Sequence, residues 1–358
     1  MHPSFRTSLN AATRRPYRAH SREHPIRVAI AWVFHVGQLI CVFFLSANGV
    51  AMGALQDETE TDRLKRSAYS KVSGEEEQDF VRKGAPKSDE WLSHFPEAGQ
   101  SLELYKSRDS RVLTTPNRHT IVLQPVGEFS DAQQELLEAL REYAQVYFQM
   151  QSRVARPMAL PEPEKSKLGR MLPEDRRRDN YERQYDAIKL VNKLLLPELP
   201  KDAVVYIGIT MEDLYAEDMN YVFGFGSFEN RTGVYSLARY FPEFWGKPTT
   251  ERSELLARRR SFKVLNHEAS HVFGLKHCIF YNCTMNGSNS LEEADRSSIH
   301  ECPVCHQKLL WNLKFEPQKR FDALRALYAK YGLDEESAWM IKRSEHWKQI
   351  HDPVRAKR

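Results

Sequence analysis

The segment HEASHVFGLKHC, residues 267–278, most constrains how this chain folds, because it sets three histidines at fixed spacings around one glycine. On a helix, His267 and His271 lie one turn apart on the same face, so both imidazoles can reach one metal ion. Gly274 can adopt the left-handed conformation that ends a helix, which allows the chain to return His277 to the same ion. The spacing therefore predicts a metal site formed by His267, His271 and His277.

Glu268 directly follows the first of these histidines, where its carboxylate can hydrogen-bond a water molecule on the metal instead of binding the metal itself. Three protein ligands leave a fourth position open, which is typical of catalytic zinc. A bare H-E-x-x-H motif is short and arises by accident, but Gly274 and His277 at fixed offsets make an accidental match far rarer. The alternative is an exposed helix that carries His and Glu without a metal. The complete pattern favours hydrolysis with Glu268 as general base.

Four of the five cysteines form a second candidate metal site. Cys278, Cys283, Cys302 and Cys305 fall within 28 residues as a C-x4-C and a C-x2-C pair, the spacing of a four-thiolate structural zinc site. The alternatives are two disulfides, which require an oxidising compartment, or four unrelated core thiols. Because Cys278 directly follows His277, we expect two zinc ions, one catalytic and one structural, whose sites are mechanically coupled.

Met285 lies eight residues after His277, where a tight turn would place its side chain beneath the zinc, although a lone methionine is more often core filler. Residues 267–285 then follow the metzincin pattern. With the four cysteines interleaved, the chain resembles one metzincin family, the archaemetzincins, and within it the eukaryotic archaemetzincin-2 type.

The resemblance extends beyond the zinc motif and covers about residues 68–345. The stretches that carry it are MNGSNSLEEADR from Met285, CPVC from Cys302, VYIGIT from Val205, GVYSLARY from Gly233 and, for the eukaryotic members, WLSHFP from Trp91. The segment before residue 56 departs from the family pattern. The resemblance implies a zinc metallopeptidase whose partner is a peptide or protein substrate.

The expected fold class is α/β, a metzincin-like α/β/α catalytic domain with a mixed sheet, an active-site helix, a Met-turn at Met285 and a four-cysteine zinc site. The rival hypothesis is a zinc-stabilised protein-interaction module with residues 278–305 as an interaction finger and a vestigial catalytic centre. The intact Glu268 argues against this rival, because a protein that only binds has no use for a base there.

Hydrophobic periodicity and turn residues place the individual elements. We expect strands at 119–126, 203–210, 221–228 and 233–240, helices at 130–147, 185–196, 251–273, 307–313 and 317–331, and a polar loop at 160–179. Ser130 is the expected cap of the first helix. The strands at 221–228 and 233–240 are expected to form a hairpin, and the first of them is a candidate edge strand for binding an extended peptide.

Composition divides the chain into five regions: a basic N-terminal region at 1–27, an apolar segment at 28–55, a polar linker and N-terminal extension at 56–116, the metzincin-like zinc peptidase domain at 117–332, and a charged C-terminal tail at 333–358. The net charge of +4 arises at one end, because residues 1–27 contain six arginines against Glu23 and the remainder holds 46 basic and 47 acidic residues. Such a body gives no reason to expect nucleic-acid binding. The runs Arg176–Arg178 and Arg258–Arg260 are expected to be solvated.

The apolar segment has no charged residue from Val28 to Gln56, and residues 28–45 are borderline in length for a bilayer span. A signal peptide, a membrane anchor, a mitochondrial presequence and initiation at Met52 all remain open. Membrane attachment through residues 28–45 would suit an anchored or secretory protein. Four zinc-bound thiolates instead favour a catalytic domain in the cytosol, nucleus or mitochondrion. The sequence leaves the oligomeric state open.

Overall fold

A computed structural model of the chain describes residues 59–72, 74–107, 113–178, 181–217, 219–227 and 229–351. The strands are β1 (Thr120–Val126), β2 (Ser152–Val154), β3 (Gly169–Met171), β4 (Arg183–Asp186), β5 (Ala203–Thr210), β6 (Asp213–Tyr215), β7 (Gly224–Ser227) and β8 (Thr232–Ser236). They form a five-stranded sheet in the order β2-β1-β5-β8-β7 and a three-stranded sheet in the order β3-β4-β6.

The α-helices are α1 (Glu60–Tyr69), α2 (Gly74–Glu77), α3 (Trp91–His94), α4 (Leu102–Lys106), α5 (Asp131–Phe148), α6 (Pro163–Ser166), α7 (Ala187–Lys189), α8 (Glu251–Val272), α9 (Leu291–Arg296), α10 (Pro303–Leu313), α11 (Pro317–Lys330) and α12 (Asp334–Ile350). A π-helical stretch, Leu190–Leu195, continues α7, and 3-10 turns occupy Glu174–Arg176, Leu196–Glu198, Ala238–Tyr240 and Pro242–Trp245.

The larger sheet is mixed, since β1 pairs in parallel with β2 and β5, β5 pairs in parallel with β8, and β7 runs antiparallel to β8. Strands β1 and β5 are buried along their whole length, as their runs of apolar and β-branched residues predict. Successive side chains of β1 enter different cores: Ile121 and Leu123 pack in the cluster that contains α5 and α8, whereas Val122 packs with residues of 187–195. Helices therefore cover both faces, and the predicted α/β architecture with a mixed sheet is confirmed.

Several predicted elements match closely. The strand at 203–210 is β5, and the strand at 119–126 is β1 with a start one residue later. Ser130 caps α5 in a capping box with Gln133, in which each side chain bonds the other residue's backbone nitrogen. The expected hairpin is β7–β8, in which Gly226 pairs with Gly233, and β7 lies at one end of the strand order. Both strands of the hairpin are shorter than expected. Strand β7 begins only at Gly224, and β8 ends at Ser236, shortly before a 3-10 turn.

The region 160–196 differs from the prediction. The expected polar loop at 160–179 contains α6 and β3, and the expected helix at 185–196 begins only at Ala187, because Tyr185 and Asp186 belong to β4. Strands of three or four residues are too short to show an alternating pattern, so their pairing depends on the second sheet. Asp186 ends β4 and caps the helix that follows, since its side chain accepts a hydrogen bond from the backbone nitrogen of Lys189 at 3.1 Å.

Segments outside the expected peptidase domain pack against it. Residues 59–107, here called the N-terminal extension and described except for residue 73, include α1 to α4, and Trp91 and Tyr105 within it are buried. Residues 334–350, within the region predicted as a charged tail, form α12, which packs on α11 through buried residues such as Met340 and Arg343.

Two further sequence expectations concern charge and membranes. The expectation that residues 258–260 are solvated is wrong, because Arg259 pairs with Glu336 at 2.7 Å and Arg260 pairs with Asp295 through two bonds of 2.8 and 2.6 Å, all partly buried.

In the part of the chain that the structure describes, no helix has the length and apolar content to cross a membrane. The apolar segment at 28–45 lies outside the described residues.

Candidate metal centre

The C-terminal half of α8 carries the first residues of the predicted zinc site into the core. The helix begins at a capping box of Thr250 and Ser253, and every residue from Ser261 to Val272 is buried. A helix buried on all sides ordinarily consists of apolar residues. In this helix several buried positions are polar, His267 and Glu268 among them. Such side chains indicate a function rather than packing alone.

The turn after α8 returns the third histidine. Gly274 has a φ of +91°, its backbone nitrogen donates to the carbonyl of His271 at 2.8 Å, and the nitrogen of Leu275 donates to the carbonyl of Ser270 at 3.1 Å. These bonds close the helix end in the way that a left-handed glycine allows. The chain then reverses, and His277 lies beside the two helical histidines with ring centroids 5.3 and 5.0 Å from theirs.

The structure brings the three predicted histidine ligands together. One ring nitrogen of each of His267, His271 and His277 lies within 4.8 Å of those of the other two, and all three residues are buried. This group is called the histidine cluster below. It consists of residues from α8 and from the turn that follows, as the spacing predicts.

The hydrogen bonds of the histidine cluster fix how its rings are protonated. The Nδ1 atom of His267 lies 2.8 Å from the carbonyl oxygen of Thr284, and that of His271 lies 2.6 Å from the carbonyl oxygen of Leu275. A carbonyl oxygen only accepts, so both Nδ1 atoms carry hydrogen and both Nε2 atoms present lone pairs. These two Nε2 atoms lie only 2.8 Å apart. Facing lone pairs repel each other unless a cation lies between them, and the histidine cluster therefore fits a metal ion.

Burial keeps the imidazoles of His267 and His271 neutral, which is the state that binds metal. Burial, and then the neighbouring His277, lower the pKa of His267 to about 3. Burial, with His267 and His277 beside it, holds the pKa of His271 well below its usual range. Protons therefore do not compete with a metal for these two nitrogens near neutral pH.

Glu268 points from α8 toward the edge strand β7. Its carboxylate is fully buried, neither oxygen has a hydrogen-bond partner in the described structure, and burial raises its pKa to about 8. A Cβ atom built on Gly224 would lie 2.9 Å from Oε1 of Glu268, and one built on Gly226 would lie 3.3 Å from Oε2. The two glycines of β7 therefore leave the space that this carboxylate occupies.

The four predicted cysteine ligands also meet. The sulfur atoms of Cys278, Cys283, Cys302 and Cys305 lie within 4.8 Å of one another, all four residues are buried, and none of them forms a disulfide. The sulfurs of Cys278 and Cys302, for example, are 3.6 Å apart. Burial raises the pKa of the Cys283 and Cys302 thiols, which a bound cation would offset. This group is called the cysteine cluster below, and its four converging sulfurs fit zinc.

Met285 lies in the turn between the two clusters. Its side chain is buried, and its backbone nitrogen lies 3.5 Å from the sulfur of Cys283. Asn286 stabilises the same turn, because its side-chain amide donates to the carbonyls of Cys278 and Tyr281 at 2.7 and 3.0 Å. The turn that contains Met285 is therefore fixed by hydrogen bonds to Cys278, Tyr281 and Cys283.

A largely apolar pocket adjoins His267. Its walls come from α8, from α9 and the loop before it, and from the segments around β7 and β8. The lining residues are Phe223, Tyr240, Arg260, Lys263, Val264, His267, Asn286, Ser288, Leu291, Ala294 and Asp295. Its charged groups have partners within the wall: Arg260 pairs with Asp295, and the Lys263 amine donates to the carbonyls of Ala294 and Ser297. The pocket thus offers an apolar surface directly beside the histidine cluster.

Comparison with known proteins identifies the family. The sequence model of Peptidase family M54 matches residues 120–310, which include β1, β5, the histidine cluster and the cysteine cluster. The chain belongs to peptidase family M54. Membership of this family makes the chain a zinc metallopeptidase that acts on peptides or proteins, and it confirms the family resemblance and the enzyme class expected from the sequence.

The chain is similar to named proteins in sequence and in structure. The chain is 31% identical to archaemetzincin-2 of Homo sapiens over 261 residues, which cover 66% of this chain and 71% of the relative. It is 45% identical to the archaemetzincin of Thermococcus kodakarensis over 112 residues, which cover 31% of this chain and 59% of the relative. A crystal structure of archaemetzincin from Archaeoglobus fulgidus complexed with malonate is 29% identical, with a TM-score of 0.40 over 53% of this chain and 99% of that chain.

Sequence reasoning missed parts of the site that depend on tertiary contacts. Glu97 accepts a hydrogen bond from Nδ1 of His277 at 2.7 Å, although the two residues are 180 positions apart. The spacing of Gly224 and Gly226 was visible in the sequence, but two glycines in a strand are a weak signal until the position of Glu268 is known. The apolar pocket draws on four separate stretches of chain and has no local pattern.

Proposed function

We propose that the chain hydrolyses peptide bonds with a zinc ion held by the histidine cluster and with Glu268 as general base. The observation that carries this proposal is the 2.8 Å separation of the Nε2 atoms of His267 and His271, whose Nδ1 hydrogens are already engaged. Three imidazoles leave one zinc position open for chemistry. When bound there, zinc lowers the pKa of a coordinated water toward ~7 and polarises a carbonyl group as a Lewis acid.

Glu268 supplies the proton transfers. Its neighbour in sequence is a proposed ligand, and its carboxylate is buried without a hydrogen-bond partner, so it can take the proton of the attacking water and deliver it to the leaving amine. Burial raises the pKa of Glu268 to about 8, and a cation nearby favours the ionised form that a base requires. The glycines of β7 keep this carboxylate at the edge of the sheet.

The substrate would bind along β7. This strand pairs with β8 on one side and lies at the end of the strand order, so its other edge can pair with an extended peptide by strand addition. The Glu268 carboxylate lies against Gly224 and Gly226 of the same strand, which would place the peptide backbone next to the base.

The pocket beside His267 would receive one substrate side chain next to the scissile bond. Its walls include Phe223, Tyr240, Val264 and Leu291, and its charged residues are paired with one another or with backbone carbonyls. An apolar side chain loses nothing by desolvation there, whereas an unpaired charge would lose its hydration. We therefore infer a preference for an apolar residue at this position.

The cysteine cluster would hold the second zinc ion in a structural role, and Met285 would form the floor of the catalytic site. Support for the structural role comes from the complete burial of the four cysteines and from their number, since closed zinc sites have four protein ligands. Cys302 and Cys305 belong to a set of four sulfurs that would fill all four positions of a zinc ion, so they would leave no position open for a substrate.

The test uses the purified full chain, its measured zinc content and a peptide library of mixed sequence. Glu268→Gln should retain both zinc ions and lose kcat by ~10²–10⁴-fold, because a general base contributes that much. Glu142→Gln is the matched control, since Glu142 pairs with Lys330 at the surface of α5. An unchanged rate in Glu268→Gln would remove Glu268 from the mechanism. A wild type that holds both zinc ions and cleaves no peptide would favour the zinc-stabilised interaction module.

A further inference from the structure

The N-terminal extension contacts the segment that carries His277. The hydroxyl of Tyr105 donates to the carbonyl of Phe273 at 2.8 Å. The side chain of Gln100 bonds both sides of the turn, donating to the carbonyl of Gly274 and accepting from the nitrogen of Lys276, each at 3.1 Å. The extension is therefore built onto the turn that presents the third histidine.

Within the extension, Glu97 reaches the histidine itself. The Oε1 atom of Glu97 lies 2.7 Å from Nδ1 of His277. The side chain of His277 is 2% exposed, and that of Glu97 is 25% exposed. The indole Nε1 of Trp91 donates to the same carboxylate oxygen at 2.6 Å. A carboxylate oxygen that accepts from both rings holds each in one orientation.

Trp91 is in turn held by the peptidase domain. Its backbone nitrogen lies 3.1 Å from both carboxylate oxygens of Glu293, and its ring stacks on Phe95 and meets the ring of His277 edge-on. The indole lies so close to Gly287 that a Cβ atom there would come within 2.5 Å of it. The Trp91–Glu97 pair thus has a defined position relative to His277.

The three histidines differ in what orients them. His267 and His271 bond carbonyls of Thr284 and Leu275, which belong to the same stretch of chain as the cluster. His277 instead bonds a side chain from the extension, outside residues 120–310 that match the family. A carboxylate on the far nitrogen of a ligand fixes its tautomer and increases its basicity.

We propose that Glu97 is a positioning residue of the catalytic zinc site, which holds His277 with Nε2 directed at the metal, and that Trp91 holds Glu97. The N-terminal extension would then complete the metal site of the peptidase domain. This inference rests on the proposed zinc site of the histidine cluster and adds an element to it.

The test measures metal affinity as well as activity, in the full chain. Glu97→Ala, Glu97→Gln and the control Glu103→Gln are compared for zinc retention against a chelator and for the visible spectrum after Co2+ replaces zinc. Glu103 lies on the same extension and pairs with exposed Lys71. Glu97→Ala should lower affinity at the histidine cluster by ~10–100-fold and change the Co2+ bands of that site. Glu97→Gln should lose less zinc affinity, because its amide oxygen can still accept the hydrogen bond from His277. Glu103→Gln should have the zinc affinity and the Co2+ bands of the wild type.

The outcomes separate the two proposals. Unchanged affinity and unchanged Co2+ bands in Glu97→Ala would overturn the role of Glu97, provided that His277→Ala does weaken that site. If His277→Ala has no effect on metal content, the proposed zinc site itself is wrong. An equal loss of metal from both clusters in Glu97→Gln would also overturn the inference, because it would indicate general destabilisation.

Discussion

The backbone nitrogen of Cys278 donates a hydrogen bond of 2.7 Å to the carbonyl oxygen of Met285. This bond closes a loop that begins directly after His277. One residue before Met285, the carbonyl of Thr284 accepts a hydrogen bond from Nδ1 of His267 at 2.8 Å. The loop that contains the first two cysteines therefore also orients a histidine of the other cluster, and the two clusters share one support.

This shared support leads to a prediction for Cys302→Ser. Loss of one thiolate should release zinc from the cysteine cluster and lower thermal stability, because the binding free energy of structural zinc contributes to folding. The catalytic site should also lose zinc, since the loop at 278–285 would loosen. Zinc content and thermal unfolding measure both effects, and Glu142→Gln, at the surface of α5, is the control. A variant with one zinc left and full activity would show that the sites are independent.

Gly224→Ala should separate catalysis from metal binding. An added Cβ would lie 2.9 Å from the Glu268 carboxylate and 2.9 Å from the Cβ of Tyr235, both closer than such atoms approach in proteins. The carboxylate must then move, so we expect a loss of kcat of at least ~10²-fold with zinc retained. Gly84→Ala is the control, because nothing lies within 4 Å of its added Cβ. Wild-type kcat in Gly224→Ala would contradict the placement of the base.

Ala294→Phe should change which peptides are cleaved. Ala294 lines the pocket beside His267, and a phenyl ring there would occupy space that a substrate side chain needs. The ratio of kcat/KM for substrates with an apolar residue larger than alanine at this position to substrates with alanine there should fall by ~10-fold or more. Cleavage-site profiling of both proteins measures the ratio directly. An unchanged profile would place the substrate side chain elsewhere.

The ion pairs of Glu336 should make stability depend on pH. Burial alone would raise the pKa of Glu336, but His300 and Arg259 lower it to about 2. A carboxyl with a depressed pKa in the folded state stabilises the fold above its unfolded pKa of about 4.5, and this contribution is lost as pH falls toward 2. The difference in unfolding free energy between wild type and Glu336→Gln should narrow by roughly 2 kcal/mol from pH 6 to pH 3. If the difference in unfolding free energy between the two proteins stays constant from pH 6 to pH 3, the ion pairs of Glu336 do not stabilise the fold in this way.

The sequence predicts the zinc helix well because its information is local. His267, His271 and Gly274 act through the helical repeat and the helix end, and both are set by residues within one or two turns. The spacing of the four cysteines works in the same way, since short loops bring paired thiols together. Strand β5 was also predictable, because it is buried along its whole length and shows this in its composition.

Other parts of the site could not be predicted, for physical reasons. Glu97 acts on His277 across 180 residues, and an acidic residue in a polar segment gives no sign of such a partner. Arg259 and Arg260 form a basic run that is normally solvated, but acids on α12 and α9 pair with them. The short strand β3 is defined by its neighbour β4 rather than by its own residues.

The proposed zinc sites are tested most directly by locating zinc in crystals of the purified protein, with anomalous diffraction at the zinc absorption edge. We expect two peaks, one bounded by the Nε2 atoms of the histidine cluster and one at the centre of the four sulfurs of the cysteine cluster. His267→Ala should abolish the first peak and leave the second. A wild-type crystal with no peak at the histidine cluster, or a peak there that survives His267→Ala together with His271→Ala, would contradict the assignment of the catalytic zinc.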